Sequence, residues 1–251
     1  MIKHFIIMSS SYTDGIRVAF DITGNDLSIK EKAEQIISLI KQKCGDDVPL
    51  STHFLETADC SWESVERYDP FFENVKCIQS IDVFIDTIKK DRTLSGLDVA
   101  NYILSKVKCT HLSLEKLVYF AYADYLCDFS KRLFEDEIYA FSYGPVISGV
   151  YNIYKGSGID PVEPQLSVLE KDVTADVKKS PARSRILFAQ DGMEKLRSID
   201  KTIQRYSKYT ARALMDITHR EGSPWSYVDS SKHFQLISDE LIKLHHYVEC
   251  V

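Results

Sequence analysis

The sequence contains no CxxC pair, no HExxH, no GxSxG and no phosphate-loop glycine pattern. These gaps remove the local signatures of zinc ribbons, metalloproteases, serine hydrolases and nucleotide-binding loops. Six cysteines (Cys44, Cys60, Cys77, Cys109, Cys127, Cys250) are scattered without the short spacings of a tetrahedral metal set, and they read as reduced thiols. Long apolar runs are also missing. Phe5 to Met8 is too short for a signal-peptide core, and Leu117 to Ala123 stops at Asp124, well below the roughly 18 apolar residues of a membrane span. The expectation is a soluble cytoplasmic chain with no membrane partner. Basic clusters are scarce: a net charge of −6 and a pI of about 5.7 argue against a protein built to grip phosphate backbones. No internal repeat is present.

What is there is a chain of 251 residues, 44% hydrophobic and 27% charged, the composition of a globular protein with a buried core. Residues 1 to 92 hold 11 Lys+Arg against 16 Asp+Glu, a balance of −5, which leaves 20 against 21 in residues 93 to 251. The first part reads as a small α+β unit. Strands are predicted at His4 to Met8 and Ile16 to Ile22, ended by the turn Thr23-Gly24-Asn25-Asp26. A helix from the Ser28–Glu31 capping box carries Ile29, Ala33, Ile36, Ile37, Ile40 and Cys44 on one face and stops at Gly45. Further strands fall near Thr52 to Leu55 and Val75 to Gln79, and Ile81, Phe84, Ile85 and Ile88 mark a helix to Lys90. Lys89-Lys90-Asp91-Arg92 is the expected boundary, giving domains of 1–92 and 93–251.

The second part is mainly helical. Ser95 to Asp98 forms another capping box, with Leu97, Ala100, Leu104 and Val107 at helical intervals. The next helix, Leu114 to about Phe129, is apolar or aromatic around its whole circumference, the mark of a buried centre. A strand is expected at Glu137 to Tyr143, broken by Gly144-Pro145 into a helix from Val146 to Lys155 that ends at Gly156-Ser157-Gly158. Residues 160 to 185, with three prolines and many charges, read as a connecting segment with at most one weak strand. Helices follow at Asp191 to Tyr206, Thr210 to Arg220 and Ser238 to Val248.

Four pieces of this second part, Leu97 to Leu104, Leu112 to Ala121, Ile138 to Tyr151 and Thr218-His219-Arg220-Glu221 with Pro224-Trp225, occur in the order and spacing of the phage-associated Panacea domain family. Residues about 94 to 229 resemble that family of antitoxins. Lys116, Leu117, Tyr119, Phe120, Thr218, His219, Pro224 and Trp225 are the fold-defining motif positions. Glu115 stands where the family usually has Gln, and Phe141 where it has Trp. The resemblance implies an α+β chain with a mainly α-helical antitoxin domain and a short strand element, whose partner is a cognate protein toxin held inactive by direct binding. Two other readings stay open: an adaptor delivering a protein to an energy-dependent protease, and an autoregulator binding its own promoter DNA. No catalytic residue, metal, cofactor or small-molecule substrate is expected. The first 92 residues lie outside the resemblance, and their acidic balance suggests mimicry of a negatively charged substrate or added toxin-specific contacts.

Eleven aromatic residues lie from Tyr119 to Tyr154. Core packing accounts for most of them, and tyrosine is also favoured at interfaces. Tyr143, Gly144, Pro145, Val146, Tyr151 and Tyr154 are the candidate partner surface, because they flank a turn or follow it at helical spacing. The plainer reading of Gly144-Pro145 is a structural turn. For His219, with Glu221, His111, His233, His245 and His246 scattered about it, structural hydrogen bonding is the simpler account, since no ligand spacing is present.

Overall fold

The computed structural model describes residues 1–24, 26–165, 179–228 and 235–251. The fold class is α+β, and the chain divides into two compact units, Met1–Thr93 with Phe188–Gln190, and Leu94–Leu187 with Asp191–Val251.

In the first unit, β1 (Ile2–Ser11), β2 (Ile16–Gly24), β3 (Ser51–Thr57) and β4 (Val75–Cys77) form a sheet of order β3-β1-β2-β4, with only β2 and β4 parallel. Side chains alternate across the sheet, and both faces are covered. Ile7, Val18 and Ile22 pack on Ile29, Ala33 and Ile40 of α1 (Asp26–Cys44) and on Phe84, Ile85 and Ile88 of α3 (Ile81–Arg92). Ile6, Met8 and Ala19 face the other way, against Phe72, Val75 and Val65 of α2 (Trp62–Tyr68). That short helix escaped the sequence reading, since seven residues with only Ser64 and Val65 buried show no usable period. Ser28 is not a cap, because α1 begins at Asp26; Asn25 of the preceding turn lies outside the described residues. Gly45, at φ +94°, closes α1 as expected, its N–H donating to Lys41 O at 2.8 Å.

The charged stretch Lys89 to Arg92 belongs to α3. Its last two residues are buried as the end of α3. Asp91 accepts hydrogen bonds from Tyr12 N at 2.6 Å and from Thr13 N and Oγ1 at 3.0 and 2.6 Å, fastening the β1–β2 turn. Arg92 donates to Cys44 O and Phe188 O at 2.8 and 2.7 Å and pairs with Asp47.

The second unit is built round α5 (His111–Phe129), whose buried residues run from Ser113 to Ala123 and on to Tyr125 and Leu126. Around it pack α4 (Gly96–Lys106), α6 (Ser148–Tyr154), α8 (Gly192–Tyr206), α9 (Ala211–Thr218) and α10 (Asp239–His245), together with a small sheet. The capping box at Ser95 and Asp98 is present at the start of α4. The sheet has order β6-β5-β7, from β5 (Ile138–Phe141), β6 (Gly144–Ile147) and β7 (Gln235–Leu236). The expected helix from Val146 is a correction: Gly144–Ile147 is a strand paired antiparallel with β5, and α6 starts only at Ser148. Side chains of α5 close the free edge of β6, where Lys116 Nζ donates to Pro145 O at 2.7 Å and Glu115 Oε2 accepts from Ile147 N at 3.0 Å. Proline is tolerated on such an edge because its missing N–H is not required by a neighbouring strand. In the stretch read as a connection, residues 166–178 lie outside the described residues, and the chain from there is helical, α7 (Lys179–Phe188).

Candidate functional site

Buried tyrosines on α4 and α5 end on carboxylates from other elements. Tyr102 and Tyr122 donate to Asp200 and Asp239 at 2.7 Å, and Tyr119 and Tyr125 donate to Glu249 and Glu194 at 2.9 Å. Their rings supply apolar packing and their hydroxyls join helices. Burial, and then these acceptors, hold the four phenols far above their ordinary pKa. The core reading of the aromatic concentration therefore holds for this group, as it does for Phe120, stacked on Tyr206 with ring centroids 4.2 Å apart.

A second polar knot ties the C-terminal turn to α5. His246 is buried between Asp124 Oδ1, 3.0 Å from Nε2, and Glu249 Oε2, 2.7 Å from Nδ1. Asp124 also accepts from Thr202 Oγ1 at 2.6 Å and from Arg205 at 3.2 Å. Burial alone would lower the imidazole, but the bonds to Asp124 and Glu249 outweigh it and bring His246 up to about 9. Burial pushes the Glu249 carboxyl upward, against the pull of His246 and Tyr119. Lys116, enclosed on all sides, is drawn down by burial to about 8 despite the opposing influence of Glu115 and Glu249.

The motif pieces meet at the β5–β6 hairpin. Thr218 is buried, with Oγ1 donating to Met215 O at 2.8 Å, and Ser223 Oγ donates to Thr218 O at 2.7 Å. His219 Nδ1 donates to Met215 O at 2.7 Å, and its Nε2 lies 3.3 Å from Ser142 O at the hairpin tip. Trp225 packs its ring on His219, with centroids 3.7 Å apart, and donates Nε1–H to Phe141 O at 2.8 Å. Thr218-His219 and Pro224-Trp225 are thus a clamp on the hairpin, and the hydrogen-bonding account of His219 is what the geometry gives. Glu115 makes a bond that a glutamine oxygen would make equally well, which accounts for that departure from the family pattern.

Of the six residues read as a partner surface, Tyr143 stands out in solvent at 67% exposure. Tyr151 is half-buried against His111 and Phe141, at centroid distances of 5.5 and 5.2 Å. Gly144, Pro145 and Val146 are buried, and Tyr154 is only 3% exposed, its hydroxyl donating to Glu163 O at 3.1 Å. These four serve the interior. Lys116, Leu117, Tyr119, Phe120, Thr218 and Pro224 are buried, while His219 and Trp225 are half-buried.

Next to the clamp lies a surface that the sequence reading missed. Tyr227 is 58% exposed and its ring lies tilted against His245 at 4.2 Å between centroids; Leu244 and Tyr247, close to that histidine in the chain, are 66% and 73% exposed. Ser142 to His219, His219 to Trp225 and Tyr227 to His245 are direct contacts, and Tyr143, Leu244 and Tyr247 are near neighbours in the chain of these contacting residues. Two apolar side chains on a helix of seven residues and its extension give no periodic signal by which to find them.

The first unit holds a row of another kind. Asp21 Oδ2 lies 2.7 Å from His4 Nδ1, His4 Nε2 lies 2.9 Å from Thr57 Oγ1, and Thr57 Oγ1 lies 2.7 Å from Ser64 Oγ. The order acid, imidazole, hydroxyl is that of an activated nucleophile. Here both hydroxyls are buried and donate to Asp59 O at 2.6 and 2.9 Å, so the row pins the end of β3 to α2. Among the described residues no group of three or more His, Cys, Asp or Glu is arranged to hold a metal ion, and no helix is long and apolar enough to cross a membrane. His233 lies outside the described residues.

Residues 114–226 match the family model described as antitoxin SocA-like, Panacea domain. Antitoxin SocA of Caulobacter vibrioides (strain NA1000 / CB15N) is 29% identical over 157 residues, covering 58% of this chain and 78% of that protein. No solved structure matches. The family match starts inside α5, so the Leu97 to Leu104 piece of α4 lies ahead of it. It is over residues 114–226, from the buried aromatic helix through the β5–β6 hairpin to the Pro224-Trp225 clamp, that the chain is similar to the Panacea domain of SocA-like antitoxins.

Proposed function

We propose that the chain is an antitoxin that holds a cognate protein toxin inactive in the cytoplasm by direct binding, with no chemistry of its own. The observation that carries this reading is the set of exposed side chains Tyr143, Tyr227, Leu244 and Tyr247 with half-buried Trp225, in a unit that buries most of its other aromatic residues and matches an antitoxin family over residues 114–226. Tyrosine and tryptophan are the residues that most often anchor protein interfaces. Tyr143 keeps its place in the proposed surface, and Tyr227, Leu244 and Tyr247 replace Tyr154 and the buried Gly144-Pro145-Val146 turn.

The test is growth of a host expressing the gene adjacent to this one, alone and together with this chain, followed by co-purification. Toxicity relieved through a stable complex is the expected result, and Tyr143→Ala with Tyr227→Ala should weaken that complex by about tenfold or more, the scale of two interface anchors. Relief without a complex would move the reading to delivery to a protease, and an adjacent gene with no toxicity would overturn it.

A further inference from the structure

In the first unit, β1 and β2 place Ser10 opposite Arg17, and β1 and β3 place Met8 opposite Ser51. The two-residue alternation of a strand puts all four side chains on one face of the sheet. Farther along that face Ile6 and Ala19 are roofed by Val65 and Phe72, but the roof ends at Phe71. Beside it a groove of about 300 Å3 remains, lined also by Met8, Pro49, Leu50, Phe71 and Phe188.

Arg17 is held in place inside this groove. Its guanidinium lies 4.9 Å above the Phe71 ring, and one Nη2–H donates to Glu73 O at 2.9 Å. Among the described residues its remaining N–H groups have no acceptor, nor do the hydroxyls of Ser10 and Ser51 have partners. No carboxylate lines the groove, although residues 1 to 92 carry five more acidic than basic side chains (16 against 11). One fixed guanidinium offers a planar fork of donors that suits a single carboxylate. The walls suit a flat apolar body, and the volume is at the small end of ligand sites.

We propose that this groove binds a small monocarboxylate with a flat apolar body, its carboxylate on Arg17 and the Ser10 and Ser51 hydroxyls, its body against Phe71. The site lies outside the antitoxin match and does not depend on the toxin-binding reading.

The experiment is titration of the full-length protein with phenylacetate, neutral phenylacetamide and inorganic phosphate, read by amide chemical shifts and calorimetry. Phenylacetate should shift Met8, Ser10, Arg17 and Ser51, and phenylacetamide should bind at least about tenfold more weakly, the scale of a lost charge-assisted bond. Arg17→Gln should show the same loss for phenylacetate, and Ser10→Glu, at an exposed position, should abolish binding if the arginine variant fails to fold. The exposed Arg67→Gln, outside the groove, should leave it unchanged. Equal affinity for the amide, binding of phosphate as tight as that of phenylacetate, or no shift at these four residues would overturn the assignment.

Discussion

Gly144 has φ +99°, and a Cβ there would lie 2.6 Å from Thr218 Oγ1 and 3.0 Å from Lys116 Cε. Conformation and space both demand glycine, so Gly144→Ala should destabilise the second unit by about 2–4 kcal/mol, measured by urea denaturation. Gly156→Ala, with nothing within 4 Å of the added carbon, should stay within about 0.5 kcal/mol of the parent. His246 gives a pH prediction. Its folded pKa is raised from 6.5 to about 9, so its stabilisation is fully present below pH 6.5 and is lost as pH rises through 9. The stability difference between the parent and His246→Gln should accordingly be largest near pH 6, on the order of 3 kcal/mol, and shrink by pH 9 and above. A difference that stays constant from pH 6 to 10 would mean that the ion pair with Asp124 and Glu249 is not what His246 contributes.

Among the elements, the end of α3 carries the clearest prediction, because Asp91 is what connects it to the β1–β2 turn. Asp91→Ala removes three acceptor bonds to Tyr12 and Thr13, two of them to backbone N–H groups. The expected loss is about 2–4 kcal/mol, with faster amide exchange at Tyr12 and Thr13 than elsewhere in β1 and β2. The same segment shows where sequence reading stops. Lys89 to Arg92 reads as a boundary, and only the fold supplies the turn and the carbonyls that make Asp91 and Arg92 interior residues. Long elements were legible: α1 declares itself through apolar periodicity, α5 through an apolar surface all round, and α4 through the Ser95–Asp98 cap. The short ones were not. Nothing local in Gly144-Pro145-Val146-Ile147 announces a strand whose edge is completed by Lys116 and Glu115, residues 28 and more positions away in the chain. In the candidate site, the Thr218-His219 and Pro224-Trp225 motif was readable as a signature, while Tyr227, Leu244 and Tyr247 were not, because an exposed side chain on a single turn leaves no pattern.

At the scale of the whole chain, charge is unevenly spread, with a balance of −5 over residues 1 to 92 against −1 over residues 93 to 251. On the proposed antitoxin reading two sources of toxin affinity are therefore in competition, and salt separates them. If acidic mimicry in the first unit supplied the affinity, screening would weaken the complex steeply, since exposed charges farther apart than a Debye length lose most of their interaction. If the set of Tyr143, Trp225, Tyr227, Leu244 and Tyr247 supplies it, the contact is dominated by apolar area and salt acts mainly on the rate of encounter. The expected outcome is a Kd for the toxin complex that changes by less than about threefold between 50 mM and 500 mM NaCl, with the association rate falling more than the dissociation rate rises. A rise in Kd of more than about tenfold over that range, with Tyr227→Ala leaving it unmoved, would transfer the interface to the acidic unit. The two units of the chain would then exchange roles: the Panacea domain would be the scaffold and the first unit the part that recognises the partner.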